Sequence, residues 1–373
     1  MGLTVFVSGE ILFEVNIRFI PPPYEKAIMA LVKKLSARLQ NHPKRIVYAE
    51  GEDPRVIQAA RQFATRKLGV PILLGERDKI ETTAKSLDVR LDGIKIIDPV
   101  KSDDSVALMK LLHGMPKFRN YDPQEINLMA LQPNYYATLM LATGRADAML
   151  AGVTVATSSV LRPVFQIIPL QKGFSTASSL MIVSTGNPEL GVNGDLFLAD
   201  CGVIPEPTEQ QLCDIAITTA VLVNHLTLET PKVAMLSFSS KSSSSTLHSV
   251  LKVKAATSLA HEKAKSCDIP IEVDGELQVD AALRPEVAKL KGISSSVAGH
   301  ANVLIFPDLD SGNIVSSMLQ VVANVNSYGR ILTGLSKPVA ELSRGASVND
   351  IFGTSVIVGA QAVDRRFIST ESL

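Results

Sequence analysis

The sequence predicts an α/β architecture built on a parallel sheet, and three observations carry that expectation. From Tyr24 onward, apolar spacing alternates between a helical period and short β-rich runs. The chain has 373 residues, enough for two domains or one large α/β unit. It is 46% hydrophobic and 20% charged, a balance ordinary for a globular enzyme.

The elements follow in order. Residues 24–41 carry Ile28, Leu31, Val32 and Leu35 at helical spacing, which predicts a helix. Arg45 to Ala49 reads as a strand. Asp53-Pro54 then opens a second helix, with Asp53 as cap, Pro54 in the first turn, and Val56, Ala59, Ala60 and Phe63 on the buried face. Val70 to Gly75 is the next strand. Gly144 to Gly152 reads as a helix end running into a buried strand. After it, Thr154 to Arg162 is a polar turn entering a helix marked by Leu161, Val164, Ile167 and Ile168. Further strands are expected at 196–199, 232–238 and 303–306. A capped helix starts at Thr208, with Gln211 three residues on. Asp274, Glu276 and Asp280 are read as acids around a Gly turn, and residues 307–313 as a polar loop at a strand's end, where open α/β sheets gather ligands.

Composition excludes several function classes. Formal net charge is zero, from 37 basic and 37 acidic residues, with no basic arm or cluster, so no nucleic-acid partner is expected. Cys201, Cys213 and Cys267 form no CxxC pair and are odd in number, which speaks against a disulfide framework and a zinc site. They read as reduced, buried thiols of a cytoplasmic protein. Residues 1–23 are interrupted by Glu10, Glu14 and Arg18, and no uncharged run is long enough to span a membrane. They are treated as an N-terminal appendage ending in the stiff Pro21-Pro22-Pro23. No GxGxxG follows the first strand. Glu50-Gly51-Glu52-Asp53-Pro54-Arg55 stands there, and its acids disfavour a dinucleotide phosphate.

Two stretches hold candidate chemistry. Ser343-Arg344-Gly345 puts a hydroxyl, a guanidinium and a glycine in succession, with Asp350 six residues after the Arg. The guanidinium fork suits phosphate or a polarised carbonyl, and Asp350 is a potential proton acceptor. Ser347 to Asp350 equally fits a helix capping box. Thr157, Ser158 and Ser159 at a helix start, with Arg162 one turn on, offer amides, hydroxyls and a cation to an anion; the alternative is a Ser/Thr cap beside a surface Arg.

Taken together, the chain resembles the phosphate acetyltransferase (phosphotransacetylase) family, across about residues 44–364. The stretches that carry the resemblance are Glu50–Arg55, Ala199-Asp200-Cys201, Val233–Ser239, Asp274–Ala282, Ala301–Leu309, Gly312-Asn313-Ile314 and Leu342-Ser343-Arg344-Gly345, in this order and spacing. The resemblance implies two three-layer α/β/α domains with a cleft between them, like isocitrate and isopropylmalate dehydrogenases. The division expected is 24–172 plus 331–373 for the first domain and 173–330 for an inserted second. It further implies a homodimer, no metal and no resident cofactor. The implied reaction moves acetyl between coenzyme A and inorganic phosphate through a ternary complex. Residue by residue, Ser343, Arg344 and Asp350 match the family's catalytic positions, and Arg162, Thr157, Lys110 and Asn313 its substrate-binding ones. Departures stand at Lys110, where the family has Arg, at Ala156 and Ser159, at Lys241-Ser242-Ser243, at Ser316-Ser317, at Val321 and at Ala346. Two other readings stay open: a phosphate butyryltransferase, and a catalytically weak domain that senses acetyl-CoA.

Overall fold

The computed structural model describes residues 3–7, 10–15, 24–241, 245–323 and 325–364, with side chains from residue 30 onward. The Pro21–Pro23 linker, residues 242–244 of the Ser-rich loop and the chain beyond residue 364 lie outside the described residues. Leu3–Val7 and Glu10–Val15 pair antiparallel in a small sheet of their own.

All the other strands join in one 11-stranded sheet. Lys95–Ile97, Gly69–Leu74, Lys44–Tyr48, Ala148–Ala151 and Val339–Glu341 lie side by side and parallel. Asp195–Ala199, Val303–Ile305, Lys232–Leu236 and Glu272–Leu277 form a second parallel set at the other end. Between the sets, Asn326–Thr333 and Ser178–Ser184 pair antiparallel with each other and with their outer neighbours. The two parallel sets therefore run in opposite senses, and their carboxyl ends point opposite ways.

The central strands are buried on both faces, as helices on both sides demand. On one face a single apolar core runs across both halves, from Leu35 and Phe63 through Ile357 to Ile215 and Val233. On the other face the packing is interrupted. One core holds Val47, Ile72, Leu139 and Val164 of the first half, and a separate one holds Met181, Leu198, Ala234 and Phe306 of the second. A cavity of about 360 Å3 lies where they part, walled by Phe165 and Ile168 from one half and by Val203, Ile204 and Gln211 from the other.

Several local expectations change on contact with tertiary structure. Gly275 lies inside the strand Glu272–Leu277, not at a turn; a Cβ there would meet Met235 Cβ at 2.5 Å. Residues 309–313 begin the helix Leu309–Val322, capped by Asp308, so only its start is loop. The helix Glu209–Thr227 is apolar beyond one face, a pattern that suggests burial by a second chain. Yet Leu212, Ile215, Ala216 and Ala220 are buried and Val221 is half-buried within this chain, so most of that excess needs no partner.

Candidate active site

The strand Val339–Glu341 is buried and pairs with Ala148–Ala151, and Leu342 N–H still bonds Ala151 O at 2.7 Å. Beyond it the chain turns outward. Ser343, Arg344 and Gly345 are exposed, and Ala346 N–H returns to Ser343 O at 2.9 Å. Ser343 Oγ accepts from Gly345 N–H at 3.2 Å, so its own hydrogen remains available. The Arg344 side chain has no hydrogen-bond or ion-pair partner among the described residues. A Cβ on Gly345 would have only Ser343 Oγ nearby, at 3.8 Å, so the turn is open to an approaching ligand.

Asp350 does form the capping box. Its Oδ2 accepts from Ser347 N–H and from Ser347 Oγ, each at 2.8 Å, while Ser347 Oγ accepts from Asp350 N–H at 3.2 Å. The cap occupies one carboxylate oxygen. Oδ1 has no partner among the described residues, so capping leaves the other oxygen able to take a proton.

The second segment leaves Ala148–Ala151 through Gly152, where φ is +108° and a Cβ would stand 2.5 Å from Leu342 O. Only glycine fits this close approach of the two turns. The helix Thr157–Ile167 follows. Its cap position is Ala156, which makes no side-chain cap bond, so the hydroxyls are not simple caps. Thr157 Oγ1 instead donates to Glu341 Oε1 at 2.7 Å. The other oxygen of Glu341 takes Arg330 Nη1 at 3.1 Å, and the carboxylate is only 3% exposed. The start of the Arg162 helix is thus tied to the strand that carries Ser343.

Arg162 is exposed at the mouth of a cavity of about 360 Å3, together with Tyr121, Asn134, Tyr135, Ser158 and Ser159. Its guanidinium has no partner among the described residues. Asn134 Oδ1 is buried there without a hydrogen bond. Lys110 stands exposed on the helix Ser105–Gly114, outside that lining. Asn313, the fifth residue of its helix, gives Nδ2 to Cys201 O at 3.2 Å. The next residue, Gly202, lies against Arg330, where a Cβ would meet Cδ at 2.3 Å. A line of contacts therefore runs from Thr157 through Glu341 and Arg330 to the loop that Asn313 holds. Cys201 in that loop is no nucleophile, since burial pushes its thiol up to about 12.

Sequence reading missed Glu50, Arg55, Glu341 and Arg330. Glu50 Oε1 accepts from Gly152 N–H at 2.8 Å. Burial pushes its carboxyl up to about 7; the bond from Gly152 opposes this, and the charges of Asp53 and Glu341 add to it. The stretch Glu50–Arg55 is thus no substrate cradle but a brace beneath both turns. An Arg two residues after a capping Asp was the available signal.

The family model for phosphate acetyl/butaryl transferase matches residues 30–359. The chain belongs to this family. It is 39% identical over 334 residues to a phosphate acetyltransferase of Acetivibrio thermocellus, covering 90% of this chain and 98% of that one. It is 37% identical to another from Thermoanaerobacterium thermosaccharolyticum, covering 90% and 100%. A solved phosphotransacetylase from Streptococcus pyogenes superposes with a TM-score of 0.81 at 34% identity, over 90% of this chain and 99% of that one. The architecture is the two-domain α/β fold expected from sequence, and the chain is an acyltransferase.

Proposed function

We propose that this chain, with the phosphate acetyltransferase activity of its relatives, uses Ser343, Arg344 and Asp350 as catalytic residues and binds substrate through Arg162, Thr157, Lys110 and Asn313. The reaction is acetyl phosphate plus coenzyme A giving acetyl-CoA plus inorganic phosphate, and its reverse. Asp350 Oδ1 accepts the thiol proton. As it does so, the sulfur attacks the acetyl carbonyl, the carbon–oxygen bond to phosphate breaks, and phosphate leaves with that electron pair. A thiol titrates near ~8.5 and an aspartate near ~3.9, so full transfer beforehand is uphill by roughly 6 kcal/mol. Proton transfer therefore accompanies attack. Arg344 faces the phosphoryl oxygens and the developing oxyanion, and Ser343 donates to the same charge. Thiolate attack on an acyl phosphate needs a base and cations, so no metal or resident cofactor enters the scheme.

The single observation that carries these roles is the state of the turn: among the described residues the Arg344 guanidinium is unpaired, and Asp350 caps with one oxygen while the other stays open. Disappearance of free thiol when coenzyme A meets acetyl phosphate, compared with butyryl phosphate, tests both activity and acyl preference. A faster rate with acetyl phosphate is expected. Faster butyryl transfer gives the acyl preference to the longer chain, equal rates show no preference, and tight acetyl-CoA binding without turnover points to a sensor.

The same reading divides the chain into residues 24–172 with 331–373 and an inserted 173–330, supported by the reversal of strand sense at Ser178–Ser184 and Asn326–Thr333. A homodimer through the inserted unit is part of it. The supporting surface is the helix Leu309–Val322, whose Ile314, Val315, Met318, Val321 and Val322 are exposed and uncharged. Light scattering that shows a monomer at micromolar concentration would refute it. Cytoplasmic residence is supported by free Cys201, Cys213 and Cys267, and no described helix is long and apolar enough to cross a membrane.

A further inference from the structure

We infer that Arg55 is a positioning residue for acyl transfer, one that holds the Ser343-Arg344 turn in register with the turn leading to Arg162. This rests on the catalytic roles given above.

A guanidinium has five N–H donors in a rigid plane. In Arg55 each has an acceptor. Nε donates to Asp53 Oδ1 at 3.1 Å and Nη2 to Asp53 Oδ2 at 2.9 Å, a bidentate pair. Nη1 donates to Arg344 O at 2.8 Å and to Ala346 O at 3.0 Å. Nη2 also reaches Val153 O at 3.1 Å. No donor is left for a substrate, so Arg55 acts only through what it holds.

What it holds is backbone from two turns at once. Arg344 O and Ala346 O flank Gly345, and Val153 follows Gly152 at the exit of the neighbouring strand. Past Leu342 the turn's contacts to itself are local, from Ala346 N–H to Ser343 O and from Gly345 N–H to Ser343 Oγ. Arg55 adds contacts spanning 289 and 291 residues of sequence. The fork is itself fixed: Asp53 caps the helix Pro54–Thr65 by accepting Arg55 N–H at 2.8 Å, and its side chain is 9% exposed. The bonds it donates to Asp53 raise the Arg55 pKa further, so the fork stays charged. Rotation of the Arg344 peptide would swing its side chain away from the reacting phosphoryl group. Misplacement of about 1 Å is enough to cost ~100-fold in rate.

Arg55→Lys and Arg55→Ala, compared with wild type, test this. Lysine keeps the charge and cannot span three carbonyls in one plane. The expected result for Arg55→Lys is a kcat lower by about 10–100-fold, the KM for coenzyme A essentially unchanged, and an unaltered far-ultraviolet spectrum. Sub-denaturing guanidinium is expected to restore part of the lost kcat in Arg55→Ala, and faster amide exchange is expected at residues 343–347 than in the wild type. Should Arg55→Ala fail to fold, Arg55→Lys carries the test alone. Wild-type kcat in Arg55→Lys overturns the inference, as does a loss that only follows the unfolded fraction. A wild type without acyl transfer sinks the functional reading instead. Amide exchange at the turn still reports whether Arg55 holds it, and unchanged exchange there refutes the inference independently.

Discussion

Both ends of the sheet pair surface cations with acids, but the carboxyl edge of the first half departs from that pattern. In the second half, several lysines are tied to acids. Lys241 pairs with Asp274, Lys254 with Glu276, Lys291 with Asp280 and Lys263 with Asp214. At the carboxyl edge of the first half, Arg55 has every donor engaged, while Arg344 and Arg162 have no partner among the described residues. The Arg344 and Arg162 guanidinium groups stand on segments that follow adjacent strands, where an anionic substrate would complete them.

The largest expected effect follows from that contrast. Arg344→Lys keeps the charge and loses the fork, and should lower kcat by about 10²–10³-fold, or roughly 2.7–4 kcal/mol. The loss should stay constant from about pH 7 to 9.5, around the thiol reference value. Near wild-type turnover would remove Arg344 from the chemistry.

Asp350→Asn should cost about 10²-fold at neutral pH. Its penalty should shrink as pH rises and thiolate forms without help. A flat penalty across the same pH range would leave Asp350 as a capping residue only.

Glu50 sharpens the contrast through stability. Its carboxyl titrates near 7 when folded, against 4.5 as its reference, so the folded chain binds the extra proton between those values. Stability from this group is present at low pH and falls as pH rises through that window, at up to about 1.36 kcal/mol per unit. His225 works the other way. Burial and Arg38 push it down to about 4, so its contribution is lost as pH falls. The difference between wild type and Glu50→Gln isolates Glu50: in urea unfolding, the variant should gain about 2 kcal/mol relative to wild type from pH 5 to 7. A constant difference would mean Glu50 is ionised throughout.

An effect on stability alone should come from the paired half. Burial raises the Asp214 pKa, but bonds from Lys263 and Ser175 outweigh it and hold the carboxyl low. Lys263→Met should cost about 1–3 kcal/mol of stability by stranding that carboxylate, with kcat unchanged in the folded enzyme. A large loss of kcat would show that this half contributes more than packing.

The sequence alone determined the strand and helix alternation, because apolar period is a local property. It also determined the caps: Asp53, Thr208 and Ser347 each cap as their spacing predicts, since a cap closes within three residues. Ser343-Arg344 and Asp350 were legible as candidate chemistry for the same reason, being contiguous. Tertiary structure decided the rest. Gly275 read as a turn residue because nothing local shows the strand packed against it. Thr157 stood between an anion-binding and a capping reading, because its partner in the fold, Glu341, is 184 residues away. Arg55 was lost in an acidic run, since its long-range acceptors are backbone carbonyls, which carry no residue-type signature. Hydrogen bonds over such separations leave no periodic trace in a single sequence, and only the folded chain brings their ends together.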